Sequence, residues 1–233
     1  AQIVTVVDAE NPVITCPTDI TINTDAGLCT STSAIGTATA TDNCGVPTIT
    51  NDAPAVFPIG NTTVTWTATD AAGNTATCTQ VITVEDAENP VITCPTDITI
   101  NTDAGLCTST ATIGTATATD NCGVPTVTNN APASFPIGNT TVTWTATDAA
   151  GNTATCTQVV TVVDAQNPVI ICPVDVTIFT DAGDCTSSAP FGVATATDNC
   201  GIPTISNDAP ANFPFGNNIV TWTATDAAGN TTT

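Results

Sequence analysis

Twenty-one carboxylates and eleven cysteines are the side chains of this 233-residue chain whose types invite chemistry. No Lys, Arg, His or Tyr accompanies them. Acid–base catalysis would rest on a carboxylate pair alone. Fifteen of the eighteen Asp recur in triplicate along the chain, which argues against one active site, so the chain is not expected to be an enzyme. Clustered oxygen donors suit Ca²⁺ instead, which takes roughly six to eight oxygen ligands. The same Asp residues also serve as turn formers and loop caps. Zinc is the rival use of the cysteines, but there is no C-x-x-C pair and no His. Regularly spaced cysteines in small β units point to disulfides and an oxidising, extracellular compartment.

The charge of −21 excludes several partners. Nucleic-acid binding needs Lys or Arg on phosphates. Anionic lipid surfaces are disfavoured for the same reason. No apolar run approaches the roughly 20 residues of a membrane span, so direct membrane insertion is not expected. Acidity also favours solubility and keeps strand edges apart.

The elements that must position these residues repeat. "DAENPVITCP" begins at Asp8 and Asp86, and "DAQNPVIICP" at Asp164, at intervals of 78 residues. Cys16, Cys94 and Cys172 follow that period, as do Cys29, Cys107 and Cys185, then Cys44, Cys122 and Cys200, then Cys78 and Cys156. The first two copies differ at seven positions; the third diverges further, with Phe179, Asp184 and Phe215. Such a period suits bead-like domains. The expected division is residues 1–7 as the last strand of a preceding repeat, then repeats at 8–85, 86–163 and 164–233, the last lacking its final strand. Residues 1–7 align with Thr79–Glu85. A mature or excised stretch of a longer array is expected, or subunits that join head to tail by strand addition.

Within a repeat the hydrophobic pattern has period 2. In "TTVTWTATD" Val64, Trp66 and Ala68 share one face, and Thr63, Thr65, Thr67 and Thr69 the other. Ile20 and Ile22 alternate likewise, as do Cys78, Ile82 and Val84. Turn signals such as "NTDAG", "TDNCG", "FPIGN" and "DAAGN" separate the runs. Short strands between turns predict an all-β sandwich with Trp66 and Phe57 in its core.

"NPVITCP", "ATDNCG", "FPIGNTTVTWTATDAAGN" and "CTQVITV", in this order, resemble the hyalin repeat (HYR). The resemblance covers essentially the whole chain as three units. It implies tandem immunoglobulin-like, fibronectin III-like β-sandwiches of extracellular adhesive or structural proteins, without enzymatic activity. It also implies a cysteine near each end of a unit, whereas this sequence has four per unit, and Gln80 stands where the family usually has an aromatic. First and last strands are neighbours in such sandwiches, which favours Cys16–Cys78 and Cys94–Cys156. That leaves Cys29–Cys44, Cys107–Cys122 and Cys185–Cys200, with Cys172 paired outside the sequence. A straight segment would hold Cys29 and Cys44 on the order of 50 Å apart, so their pairing requires a bend, expected at Gly36.

Tracing strand directions puts Asp70 beside the linker that leads into its repeat, near Asp8, Glu10 and Asn11, with Asp42 joining if its strand returns there. The equivalent sets are Asp86, Glu88, Asp120 and Asp148, then Asp164, Asp198 and Asp226. Gln166 replaces Glu10 and Glu88, so weaker binding is expected at the third set. Asn61, Asn139 and Asn230 head N-linked acceptor patterns. The expected function is a structural fibre or stalk that associates with itself or with neighbouring repeats. The alternative is a calcium-dependent adhesin for a glycan, protein or other surface ligand, read through the "NDAPAVFPIGN" loops.

Overall fold

The computed structural model describes residues 1–233. It is all-β, and no helix long and apolar enough to cross a membrane is present. The chain divides into two compact units. One comprises Ala1–Thr93, Thr117–Thr128 and Thr145–Thr155; the other comprises Cys94–Ala116, Asn129–Trp144 and Cys156–Thr233.

The first unit contains the whole first repeat. Its strands are β1 (Val13–Thr15), β2 (Ile20–Asn23), β3 (Thr30–Ser31), β4 (Thr39–Thr41), β5 (Thr48–Asn51), β6 (Phe57–Pro58), β7 (Gly60–Thr69) and β8 (Thr75–Glu85). The main sheet has the order β2-β8-β7-β5, with β2 parallel to β8 and the other pairs antiparallel. β1 pairs with β4 and β3 with β6, both antiparallel. These two short pairs cover the apolar face of the sheet. Phe57, Ala38 and Ile14 meet Val64, Trp66, Ile82 and Val84 in one core. The alternation in β7 works as its sequence demands: Val64, Trp66 and Ala68 are buried while the intervening threonines turn outward.

Gln80 sits inside this core, on the buried face of β8, with no exposed surface. A buried amide is tolerable only if its polar atoms are satisfied. Here its Oε1 accepts from Trp66 Nε1 at 3.2 Å, and its Nε2 donates to the carbonyls of Thr18 and Ile35 at 2.8 and 2.9 Å. It therefore ties β7, β8 and both flanking loops together, where an aromatic would only fill space. Cys16–Cys78 adds a covalent link between β8 and the segment just after β1, with Cα atoms 5.9 Å apart.

The turn after β2 and the turn after β4 lie at opposite poles of the sandwich. At the downstream pole Thr24 N donates to Glu85 O, and Gly27 N to Glu88. At the upstream pole Asp42 lies beside Asp8 and Asp70. β3 and β4 do not form a hairpin with each other; each pairs with a different strand, and the chain between them crosses the domain. Gly36 does adopt φ +89°, with Pro17 against it, but the bend does not bring Cys44 back to Cys29. The expected Cys29–Cys44, Cys107–Cys122 and Cys185–Cys200 bridges are therefore replaced. Cys29 pairs with Cys122 and Cys107 with Cys200, across 93 residues in each case. Cys44, Cys172 and Cys185 are exposed free thiols.

The second unit contains the third repeat and part of the second. Ile98–Asn101 runs parallel to Thr153–Val163 in the register of β2 on β8. Cys94–Cys156 and the Trp144–Gln158 hydrogen bond reproduce their counterparts in the first repeat. In the third repeat Val169–Ile171 pairs with Thr195–Thr197, Thr186–Ser187 with Phe213–Pro214, and Thr204–Asn207 with Trp222–Thr225. No strand forms between Cys172 and Cys185. The strand containing Trp222 has 4 residues, against 10 in β7.

Candidate cation site and covalent latch at the repeat junctions

Each site assembles from three loops that converge on one pole of a repeat. Asp8 comes from the leading linker, Asp42 from the tight turn after β4, and Asp70 from the turn after β7. One carboxylate oxygen from each lies within 4.8 Å of the others. Asp86, Asp120 and Asp148 form the second cluster, inside the first unit; Asp164, Asp198 and Asp226 form the third, inside the second unit. Direction tracing thus brings three of the four expected residues together. Glu10 and Glu88 lie outside the clusters.

The carboxylates divide their labour. One oxygen holds the loop. Asp120 Oδ2 accepts from Cys122 N, and Asp148 Oδ1 accepts from Gly151 N and Asn152 N. Asp86 Oδ1 accepts from Glu88 N at 3.1 Å and from Thr24 Oγ1 of the preceding repeat at 3.4 Å. In Asp70, Asp148 and Asp226 the other oxygen accepts from the Asn four residues on, but Asp42 Oδ1, Asp86 Oδ2, Asp120 Oδ1, Asp164 Oδ2 and Asp198 Oδ1 are buried without a hydrogen-bond partner. Asp86 and Asp164 are each only 7 % exposed. Buried acceptors without donors carry a desolvation cost. In a chain without Lys, Arg or His no side chain can neutralise them. An all-oxygen, uniformly anionic donor set of this kind fits a hard divalent cation such as Ca²⁺.

Asp70, Asp148 and Asp226 have carboxyl pKa values below the ordinary value. Desolvation acts upward on each, but it is outweighed by hydrogen bonds. In the first repeat these come from the Asn74 side chain and the backbone amides of Asn74, Gly73 and Ala72. The carboxylates therefore stay ionised over the whole neutral range. Cys44 shows the opposite effect. Desolvation raises its thiol pKa first, and the charge and hydrogen bond of Asp8 add to this, then Asp42 and Asp70.

Beside the second and third clusters lies a latch to the preceding repeat. Asn121 Nδ2 donates to Leu28 O at 2.9 Å and also reaches Asp86 Oδ1, next to the Cys29–Cys122 bridge. Glu88 Oε2 accepts from Gly27 N at 2.8 Å. In the second unit Asn199 bonds Leu106 O, next to Cys107–Cys200. Gln166 accepts from Gly105 N and also donates to Asp103 O. Glu88 and Gln166 thus act as clasps between repeats, so the change from Glu to Gln bears on the clasp and does not remove a member of the third cluster.

Of the three acceptor-pattern asparagines, Asn61 and Asn139 are exposed on their strands, where they accept from Thr83 and Thr161. Asn230 Nδ2 donates to Asp164 O and Asp226 Oδ2. The nitrogen that would carry a glycan is thus engaged within the fold.

Sandwiches of this kind, the first two stapled internally and each joined to the next by a second disulfide, define an extracellular tandem-repeat protein. A family model for the HYR domain matches residues 7–84, 85–162 and 163–233, and the chain belongs to that family. Hyalin of Strongylocentrotus purpuratus is 36% identical over 96% of this chain, which spans 20% of that protein. Hyalin of Lytechinus variegatus is 36% identical over 97% of this chain and 46% of its own length. The chain thus spans less than half the length of these relatives. Among solved structures, protocadherin gamma B2 extracellular cadherin domains 3–6 align over 95% of this chain and 71% of theirs, at 11% identity and a TM-score of 0.37. Mouse cadherin-23 EC22–24 aligns over 96% and 87%, at 14% identity and a TM-score of 0.36. The location is extracellular or cell-surface, in keeping with four disulfides.

Proposed function

We propose that this chain is a structural element of an extracellular fibre or stalk, in which each repeat is fixed to the next by a disulfide, with Ca²⁺ held by three carboxylates of one repeat beside that joint. The observation that carries this reading is the Cys29–Cys122 bridge and its repetition as Cys107–Cys200. A bridge between domains makes the joint covalent, so the joint resists dissociation and proteolytic opening. The absence of Lys and Arg removes every trypsin-type cleavage site. Ca²⁺ at the same joint would neutralise the clustered carboxylates and so strengthen the clasp.

The reading is tested by electron microscopy of native material. Filaments or strings of beads that loosen under combined reduction and chelation are expected. Isolated globular particles in native preparations would contradict it.

A further inference from the structure

At the joint between the first and second repeats, three consecutive residues act together. Cys122 is bridged to Cys29 of the preceding repeat. Asp120 Oδ2 accepts from Cys122 N at 2.9 Å, and Asp120 Oδ1 is buried without a partner. Asn121 Nδ2 donates to Leu28 O at 2.9 Å and reaches Asp86 Oδ1 at 3.3 Å. A reversed amide would set its oxygen against that carbonyl and that carboxylate, so the two acceptors fix the amide's orientation. Asn121 Oδ1 is then a buried acceptor with no donor. Asp86 Oδ2 is another, on a side chain only 7 % exposed. The second unit shows the same set at the next joint. Asn199 Nδ2 lies 2.9 Å from Leu106 O and 3.3 Å from Asp164 Oδ1, and Asp164 Oδ2, Asp198 Oδ1 and Asn199 Oδ1 are buried without partners.

We propose that Asn121, and Asn199 at the next joint, supplies its Oδ1 as a fourth ligand to the Ca²⁺ held by the three carboxylates, and that cation binding and the inter-repeat disulfide thereby reinforce one another. Buried acceptors without donors cost desolvation, and a shared cation satisfies all of them at once. The amide oxygen is a neutral donor, so it adds a ligand without adding repulsion among the carboxylates. Ca²⁺ takes amide carbonyls beside carboxylates, to a total of roughly six to eight oxygens, so water completes the shell. The amide is aligned from outside its own repeat. Leu28 O holds its nitrogen, and the Cys29–Cys122 bridge holds the backbone beside it. Thr24 Oγ1 of the preceding repeat also donates to Asp86 Oδ1 at 3.4 Å. Two ligand residues are thus positioned by the preceding repeat, whereas Asp148 is held within its own loop by Gly151 and Asn152.

The coupling runs both ways, because linkage between two equilibria is reciprocal. Reduction of Cys29–Cys122 by a small-molecule dithiol transfers two electrons and two protons: the bridge becomes two thiols and the dithiol closes to a cyclic disulfide. Leu28 and Asn121 are then free to part, the amide loses its alignment, and the cation loses a ligand. Conversely, a bound cation holds Asn121 in place against Leu28 and disfavours reduction. The internal bridges provide the contrast, since no cluster residue is adjacent in sequence to Cys16, Cys78, Cys94 or Cys156.

The proposal rests on the calcium reading above. It is tested on the 233-residue chain by Ca²⁺ titration followed through the NMR signals of the Asn152 and Asn230 amides. These donate to Asp148 and Asp226, so they report the second and third clusters separately. In Asn121→Ala, and in the double variant Cys29→Ser with Cys122→Ser, affinity at the second cluster should fall by about tenfold. The third cluster should be unchanged and serves as the folding control. In the unaltered chain, Ca²⁺ should lower the reduction potential of Cys29–Cys122 by about 30 mV, the same tenfold for a two-electron couple. That potential is read in oxidised and reduced dithiothreitol, with the reduced cysteines located by alkylation and peptide mass spectrometry; Cys16–Cys78 should not move. Unchanged affinity in the variants, or a Cys29–Cys122 potential that ignores Ca²⁺, would overturn the proposal and leave the calcium reading intact. Amide signals that ignore Ca²⁺ in the unaltered chain would overturn both.

Discussion

The first and third repeats share the same tryptophan, the same turns and the same carboxylate cluster, but the 233 residues include all of β8 in the first and only Thr231–Thr232 of its counterpart in the third. In the first, β8 contributes Ile82 and Val84 to the core, Gln80 to a three-way hydrogen-bond network, and Cys78 to a disulfide. In the third, Trp222 has no glutamine beside it, Cys172 is a free thiol, and the segment after it forms no strand although β2 does. β2 is the edge of a sheet and has only β8 to pair with. The carboxylate cluster is indifferent to this, because its loops lie at the opposite pole.

The sharpest way to break the comparison is the internal disulfide. Replacing both Cys16 and Cys78 by Ser releases a 62-residue loop, which should destabilise the first repeat by about 4 kcal/mol in guanidinium unfolding. Within the 233 residues, which include no counterpart of Cys78 in the third repeat, Cys172→Ser should change stability by no more than about 0.5 kcal/mol. Next is the buried amide. Gln80→Ala strands one indole N–H and two carbonyls, an expected loss of about 3 kcal/mol, whereas Gln2→Ala should leave the stability of the isolated chain unchanged. Equal effects at Gln80 and Gln2 would dissolve the contrast.

Calcium probes the pole that the two repeats share. At a hundredfold excess over Kd, bound Ca²⁺ should stabilise by about 2.7 kcal/mol per site. Asp86→Asn should reduce that gain, and a melting temperature unchanged by chelation would remove calcium from the account. The smallest effect is the acid response. The carboxyl pKa values of Asp70, Asp148 and Asp226 are lowered on folding. Their stabilisation is therefore complete above the unfolded value of about 4 and is lost as the pH falls through the folded values. Asn74→Ala should flatten that loss in the first repeat, measured as stability between about pH 5 and about pH 2.

Much of this was legible in the sequence. The alternation in "TTVTWTATD" identifies the buried face of β7, and the run of turns identifies a sandwich. Direction tracing brings Asp8, Asp42 and Asp70 to one pole, because strand direction alone decides which loops meet. Glu10 and Glu88 were harder to place, since a long side chain beside a junction can reach toward either repeat, and Glu88 reaches back to Gly27. Gln80 gave no polar signal because it falls in register with apolar residues; its clue was its place opposite the Trp-bearing strand. The second class of disulfide was hidden by treating each repeat as closed on itself. A period of 78 residues is equally consistent with pairing inside a repeat and with pairing to the next. Only the crossing of the domain between β3 and β4, which puts Cys29 and Cys44 at opposite poles, separates the two.

That separation is also where the account is most exposed. Peptic digestion of the unreduced protein, followed by mass spectrometry of linked peptides, reads the cysteine pairs directly. The account predicts Cys29 joined to Cys122 and Cys107 joined to Cys200, beside Cys16–Cys78 and Cys94–Cys156. Peptides joining Cys29 to Cys44 or Cys107 to Cys122 would contradict it, and would return each repeat to an independent bead with no covalent tie to its neighbour.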